Sequence, residues 1–172
     1  MEQKDGEIIM KIKKIVWSMI EILGGLAIGK TLSETQYKKK EILQSEQLEK
    51  QFEFYQLLTA WLEIRQKNKK LDEYFIKHKY KNVAIYGMKE LGERLFEELN
   101  GTEINVLYTI DKNMTDIYKK TKFKTVYPND EMEKVDVVVV TAIHYFSDIY
   151  MELSQYMDAE IISLEDVVYE MI

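Results

Sequence analysis

The side chains able to do chemistry are few and gather in the second half of this chain. There is no cysteine, and only two histidines occur, His78 and His144. Disulfides, Cys-ligated zinc and thiol nucleophiles are thereby excluded, and a His-based metal cluster is disfavoured. What remains is a glycine turn, Gly87-Met88-Lys89-Glu90-Leu91-Gly92, the pair Asp111-Lys112, and Thr141 and His144 around the end of a strongly apolar run. Glycines in such a turn admit a tight reversal and close helix packing. The helix start that follows offers backbone N–H groups and a positive dipole end to a phosphate. An acid standing beyond the next strand can accept hydrogen bonds from ribose hydroxyls; Asp111 lies 19 residues after Gly92, near the roughly 20 expected of such an acid. Binding chemistry is therefore better supported than catalysis. His144 can contact a ligand or act as an acid or base, but no nucleophile, paired base or metal set accompanies it in the sequence.

The elements that must position these residues are legible in the hydrophobic pattern. Val83-Ala84-Ile85-Tyr86 is a short apolar run typical of a buried parallel strand. Gly87–Gly92 follows directly, Glu93–Leu99 has helical spacing, and Asn100-Gly101 stops it. Ile104–Ile110 reads as the second strand, with Asp111 at its carboxyl end. Phe123–Val126 is expected as a short third strand closed by Tyr127-Pro128, and Asn129–Glu133 as a brief helical or loop segment. Val135–Thr141 is the most apolar strand of the chain; Phe146–Tyr156 is expected as an amphipathic helix, Glu160–Leu164 as a fifth strand, and a helix from Ser163 through Met171 closes the chain. Strands alternating with helices imply parallel order and right-handed crossovers. The expected fold is α/β: a Rossmann-like open parallel sheet of about five strands over residues 80–172, preceded by a helical arm.

One departure bears on the ligand. In the G-x-G-x-x-G turn the middle glycine lets a pyrophosphate approach the backbone; here that position is Lys89. Its side chain either obstructs a dinucleotide or pairs with a phosphate from the rim. The turn is thus more specific for the fold than for NAD, and a degenerate turn without ligand stays open.

The strand–glycine turn–helix–strand series, the Ile-Asp-Lys-Asn at the second strand's end, the VDVVVVT strand followed by Phe146 and its helix, and the closing IISLEDV resemble Rossmann-like domains of bacterial cell-surface polysaccharide biosynthesis systems. The region from Tyr80 to Ile172 is similar to the nucleotide-binding half of nucleotide-sugar-modifying enzymes and to the C-terminal Rossmann-like domain of sugar C-methyltransferases. The resemblance implies NAD(P) or a nucleotide-sugar as ligand; Gly87, Gly92 and Asp111 match its binding positions and Lys89 departs from them, while Met88, Lys112, Thr141 and His144 are candidate contacts beside them. The catalytic halves of those enzymes have no counterpart, and no Tyr-x-x-x-Lys follows the sheet at a suitable place.

The first third of the chain is different. Ile15–Gly29 is mostly apolar and flanked by Lys11, Lys13, Lys14 and Lys38–Lys40. It is too short for a spanning helix, which needs roughly 20 residues. Ile8, Ile12, Ile15, Met19, Ile22 and Leu26 follow steps of four and three, the seam of a packing helix, and Gly25 with Gly29 forms a GxxxG. Two readings stand: residues 1–30 form a helix lying in or partly inserted into the cytoplasmic membrane face, or one that serves oligomerisation or packs on the rest of the chain. Residues 31–79 are expected as a long helix capped by Ser33 with Gln36, then a short helix Leu71–Lys79 ending near a solvated His78. Leu48, Phe52, Tyr55, Leu58 and Leu62 lie near one face of the long helix, widened by Phe54, Leu57, Trp61 and Ile64. Burial against the domain or a partner helix is expected, so a homo-oligomer or partner protein is implied.

With 46% hydrophobic and 31% charged residues the 172-residue chain is globular in balance. Its net charge of −6 disfavours nucleic acid, which requires clustered Lys and Arg. The absence of cysteine fits a reducing, cytoplasmic compartment, on the inner face of the membrane if the first helix docks there. Three functions follow: a non-catalytic nucleotide or nucleotide-sugar binding module, an oxidoreductase-, epimerase- or transferase-type enzyme completed by another subunit, and a membrane-linked helical scaffold with a vestigial domain.

Overall fold

A computed structural model describes the backbone of residues 2–112, 125–127 and 132–172; within the first helix, side chains are described at 13, 14, 17–19 and from 36 onward. The expected strand residues Phe123 and Lys124, the Pro128 turn and most of Asn129–Glu133 lie outside the described residues. So do the side chains of the Ile8–Leu26 seam other than Met19, which is exposed.

The first element is a single helix of 65 residues, α1 (Glu2–Gln66). The separate helix expected to start at Ser33 is part of it: no proline interrupts the run there, and the hydrogen-bond ladder continues. It ends where Asn68 takes a left-handed φ of 58°, with Lys69 N–H donating to the Ile64 carbonyl at 3.1 Å. That reversal is the usual means of satisfying a helix's last carbonyls. A short helix α2 (Asp72–Lys77) follows and is closed the same way by Lys79 at φ 61°.

The strands are β1 (Asn82–Tyr86), β2 (Asn105–Ile110), β3 (Thr125–Val126), β4 (Val137–Val140) and β5 (Glu160–Ser163). They form one sheet in the order β3-β2-β1-β4-β5, and every pairing is parallel. This is the doubly wound, Rossmann-like order without a sixth strand. The crossovers carry α3 (Glu90–Leu99), a 3₁₀ turn (Ile143–Tyr145) running into α4 (Phe146–Leu153), and, after β5, α5 (Leu164–Met171). Ser163 caps α5 in a capping box with Asp166.

The period of two along each strand splits the core between two faces. Val83, Ile85, Val137, Val139 and Ile162 pack with α3, α5, α2 and the Leu57, Trp61 and Ile64 face of α1. Ala84, Tyr86, Tyr108, Ile110, Val138 and Val140 pack with Ile149 and Leu153 of α4. The chain divides into two compact units, Met1–Gln51 and Phe52–Ile172. The sheet's unit therefore reaches upstream of residue 80, because the end of α1 and all of α2 contribute to its core.

His78 is exposed but not merely solvated. Its ring stacks near Tyr74 and Tyr80, and Nε2 lies 2.9 Å from the Glu170 carboxylate, which Lys77 also contacts.

Candidate functional site

In an open parallel sheet the crevice forms at the carboxyl ends of strands whose crossovers leave in opposite directions. Here those strands are β1 and β4, adjacent in the sheet but separated in sequence by α3, β2 and β3. A cavity of about 520 Å³ opens there, lined in part by Gly87, Lys89, Asp111, Lys112, Thr141 and His144. Its size falls in the usual range for small-molecule sites.

The floor is the turn after β1. Gly87 adopts φ +89°, a conformation that L side chains rarely take, and a Cβ there would come within 3.0 Å of Thr141 Oγ1. The turn is fastened on both sides. Gly87 N–H donates to the Ile110 carbonyl at 2.9 Å, and the Thr141 hydroxyl donates toward the Gly87 carbonyl at 2.6 Å. Met88 and Gly92 stand behind the turn rather than in the cavity. The Met88 side chain is buried, and a Cβ on Gly92 would lie 2.0 Å from the Gly87 carbonyl oxygen. Gly92 is thus what lets α3 start directly against the turn. Lys89 occupies the N-cap position without a side-chain cap and is exposed, so its ammonium stands at the cavity rim by the start of α3.

Asp111, at the end of β2, is buried and accepts a long hydrogen bond from Met88 N–H at 3.4 Å. The acid and the glycine turn are therefore adjacent in space, as their sequence spacing implied. Lys112 reaches across to Glu152 of α4 in a close ion pair. The Glu152 hydrogen bond holds the Lys112 ammonium above its ordinary pKa. Tyr86, the last residue of β1, also lines the cavity, and burial pushes its phenol up.

His144 sits in the 3₁₀ turn after β4, largely covered, with Nδ1 3.0 Å from the Glu53 carboxylate of α1. Phe54, next along that helix, lines the cavity as well. Glu165 of α5 is near both: burial raises its pKa, Glu53 raises it further and His144 opposes the rise.

Six of the eight residues expected at the site line one cavity, and the other two shape its floor. Sequence reasoning missed Glu90, Asp148 and Glu152, and the contribution of α1 through Glu53 and Phe54. The α4 residues had a readable signal: Asp148, Ile149 and Glu152 are spaced to share the face of the helix that leaves β4. Nothing in the local pattern places Glu53 beside His144, 91 positions later.

Charge in the cavity is mixed. Lys89 and Lys112 face Glu90, Asp111, Asp148 and Glu152, and Lys112 is already committed to Glu152. Hydroxyl groups of a ligand suit these carboxylates, and a phosphate has Lys89 and the start of α3. Among the described residues no group of three or more His, Cys, Asp or Glu could hold a metal ion, and no helix is long and apolar enough to cross a membrane. No protein-family model, curated protein or solved structure matches this chain.

Proposed function

We propose that the cavity at the ends of β1, β2 and β4 binds a nucleotide or nucleotide-sugar, and that the chain is a non-catalytic binding module serving bacterial surface glycan assembly. The observation that carries the ligand class is the meeting of Asp111 with the Gly87 turn at the topological switch point. In this reading Asp111 takes the ribose hydroxyls, Lys89 and the first turn of α3 face the phosphate, and Phe54 and Tyr86 flank the base or sugar. The glycan setting rests on the resemblance of the region from Tyr80 onward.

The test is a thermal-shift screen of the full chain with NAD, NADP, common nucleotides and nucleotide-sugars. Stabilisation by one class, lost in Asp111→Ala, is expected; a ligand at a hundred times its Kd stabilises by about 2.7 kcal/mol. No shift with any compound at millimolar concentration would remove the basis of the proposal.

A second reading, an enzyme completed by another subunit, has the His144–Glu53 pair in its favour. A carboxylate on Nδ1 fixes an imidazole's tautomer and leaves Nε2 to exchange a proton. Turnover that survives His144→Ala unchanged would eliminate that role.

A further inference from the structure

Asp111 and Lys112, successive residues past β2, serve opposite sides of the cavity. Side chains along a strand alternate between the faces of the sheet, and this pair continues the alternation. Asp111 accepts the Met88 N–H of the glycine turn, whereas Lys112 reaches the other way to Glu152 of α4. Helices α3 and α4 pack on opposite faces, so the cavity has a turn side and an α4 side. Ribose on Asp111 and phosphate by Lys89 occupy the turn side. The polar groups of the α4 side, on Tyr86, Lys112 and Glu152, are left for a different part of the ligand.

Tyr86 points to what that part is. It is only 7% exposed, its ring fixed in the core cluster that includes Val138, Val140 and Ile149. A buried tyrosine usually finds a partner for its hydroxyl, yet among the described residues this one has no hydrogen bond. The charges acting on the phenol are those of Lys112, Glu152 and Asp111, all of which line the cavity. Burial keeps the phenol protonated at neutral pH. The hydroxyl is therefore a fixed donor available to whatever occupies the cavity.

The Lys112–Glu152 pair narrows the chemistry further. An ammonium carries three donors and a carboxylate two acceptor oxygens, so their one bond leaves donors on Lys112 and an acceptor on Glu152. Their charges offset each other. A phosphate brought here would meet Glu152 and the neighbouring Asp148, and an ammonium would meet Lys112. A neutral group that both accepts and donates meets neither repulsion. Adjacent hydroxyls of a sugar ring are such a group: one oxygen accepts from Tyr86 and Lys112 while its neighbour donates to Glu152.

We propose that Tyr86, Lys112 and Glu152 form a second subsite, on the α4 side of the cavity, that binds adjacent hydroxyls of a sugar ring. The inference rests on the nucleotide reading and narrows it: the ligand is a nucleotide-sugar rather than a bare nucleotide. The turn side does not distinguish the two, since ribose and phosphate are common to both.

The test is isothermal titration of the full chain with UDP and UDP-glucose, ADP and ADP-glucose, and GDP and GDP-mannose. One conjugate should bind about tenfold more tightly than its own diphosphate, the weight of hydrogen bonds to charged groups. In Tyr86→Phe that advantage should shrink severalfold. The melting temperature of the free variant should stay at the parent's, because the hydroxyl has no protein partner among the described residues. Glu152→Ala should also shrink the advantage, and it should tighten the diphosphate itself, since Lys112 is then released to pair with phosphate. Diphosphates that bind as tightly as their conjugates, or an advantage that survives Tyr86→Phe, would overturn the subsite and leave the nucleotide reading standing. A clear fall in the melting temperature of free Tyr86→Phe would assign the hydroxyl to the fold and overturn it too. Absence of binding by all of these compounds would overturn the subsite as well, the nucleotide reading then resting on the wider screen.

Discussion

At the scale of single residues, the cavity depends most on a glycine that never touches it. Gly92 lies under the turn, and an added methyl would meet the Gly87 carbonyl oxygen at 2.0 Å. That oxygen belongs to backbone held by Thr141 and cannot swing aside. Gly92→Ala should cost about 1–3 kcal/mol in urea unfolding, as overpacking does, and should weaken any ligand as α3 is pushed off the turn. Asp136 governs a different property. Its carboxylate accepts the N–H groups of Asn82 at 2.7 Å and Lys81 at 2.8 Å, and these two bonds hold its pKa below the ordinary carboxylate range. A group whose folded pKa is depressed contributes stability above its unfolded pKa, about 3.9, and loses it as pH falls through the folded value. Asp136→Asn should therefore be less stable than the parent at neutral pH, by about 0.5–1 kcal/mol given solvent screening. The difference should close as the pH drops below that range, which thermal melts at several pH values will read. The glycine turn and Asp111 were legible because a tight strand-to-helix turn demands glycines at fixed spacing and the acid stands at the end of the next strand of the same parallel sheet. The Lys112–Glu152 and His144–Glu53 pairs were not, since each joins side chains whose proximity is set by the sheet and by α1 rather than by local pattern.

At the scale of elements, one carboxylate of α3 bonds both the end of α1 and the segment that follows it. Glu98 of α3 accepts Trp61 Nε1–H at 2.6 Å and the Leu71 N–H at 2.9 Å, and is only 11% exposed in its side chain. Glu98→Ala leaves both donors without that acceptor, so a loss of about 2–3 kcal/mol is expected. Urea unfolding measures it, and Trp61 fluorescence should report the change in its surroundings. Strands and helices were mostly legible: Val83–Tyr86 and Val135–Thr141 are apolar runs of strand length, and Ser163 is a recognisable cap. The orientation of α1 was not. The sequence offers Leu48, Phe52, Tyr55, Leu58 and Leu62, widened by Phe54, Leu57, Trp61 and Ile64, as one broad stripe to be covered by the domain or a partner helix; within it Leu57, Trp61 and Ile64 are buried, and the first five are exposed. Periodicity finds an apolar face; with two such faces on one helix, only the shape of the docking surface decides between them. The break expected at Ser33 failed for a related reason, because capping residues also occur inside helices where the flanking sequence keeps the ladder going.

At the scale of the whole molecule, parallel order and a sheet of about five strands could be read from alternation alone, since parallel neighbours require crossovers and helices supply them. The placement of β1 at the centre, between β2 and β4, could be anticipated only through the general rule for doubly wound sheets. That placement also carries a consequence in time. Val83 pairs with Val106, 23 positions on, and with Val137, 54 positions on. Closing the longer loop costs more chain entropy before any contact repays it. The β1–α3–β2 segment should therefore assemble first, and β4 with β5 should join a platform already formed. In stopped-flow refolding, Ile110→Ala in β2 should chiefly slow folding, whereas Ile162→Ala in β5 should chiefly speed unfolding. Since the crevice needs β4 as its second wall, a chain caught midway would hold the glycine turn and Asp111 without Thr141 or His144. The finished crevice would then be among the last features the protein gains on folding and among the first it gives up.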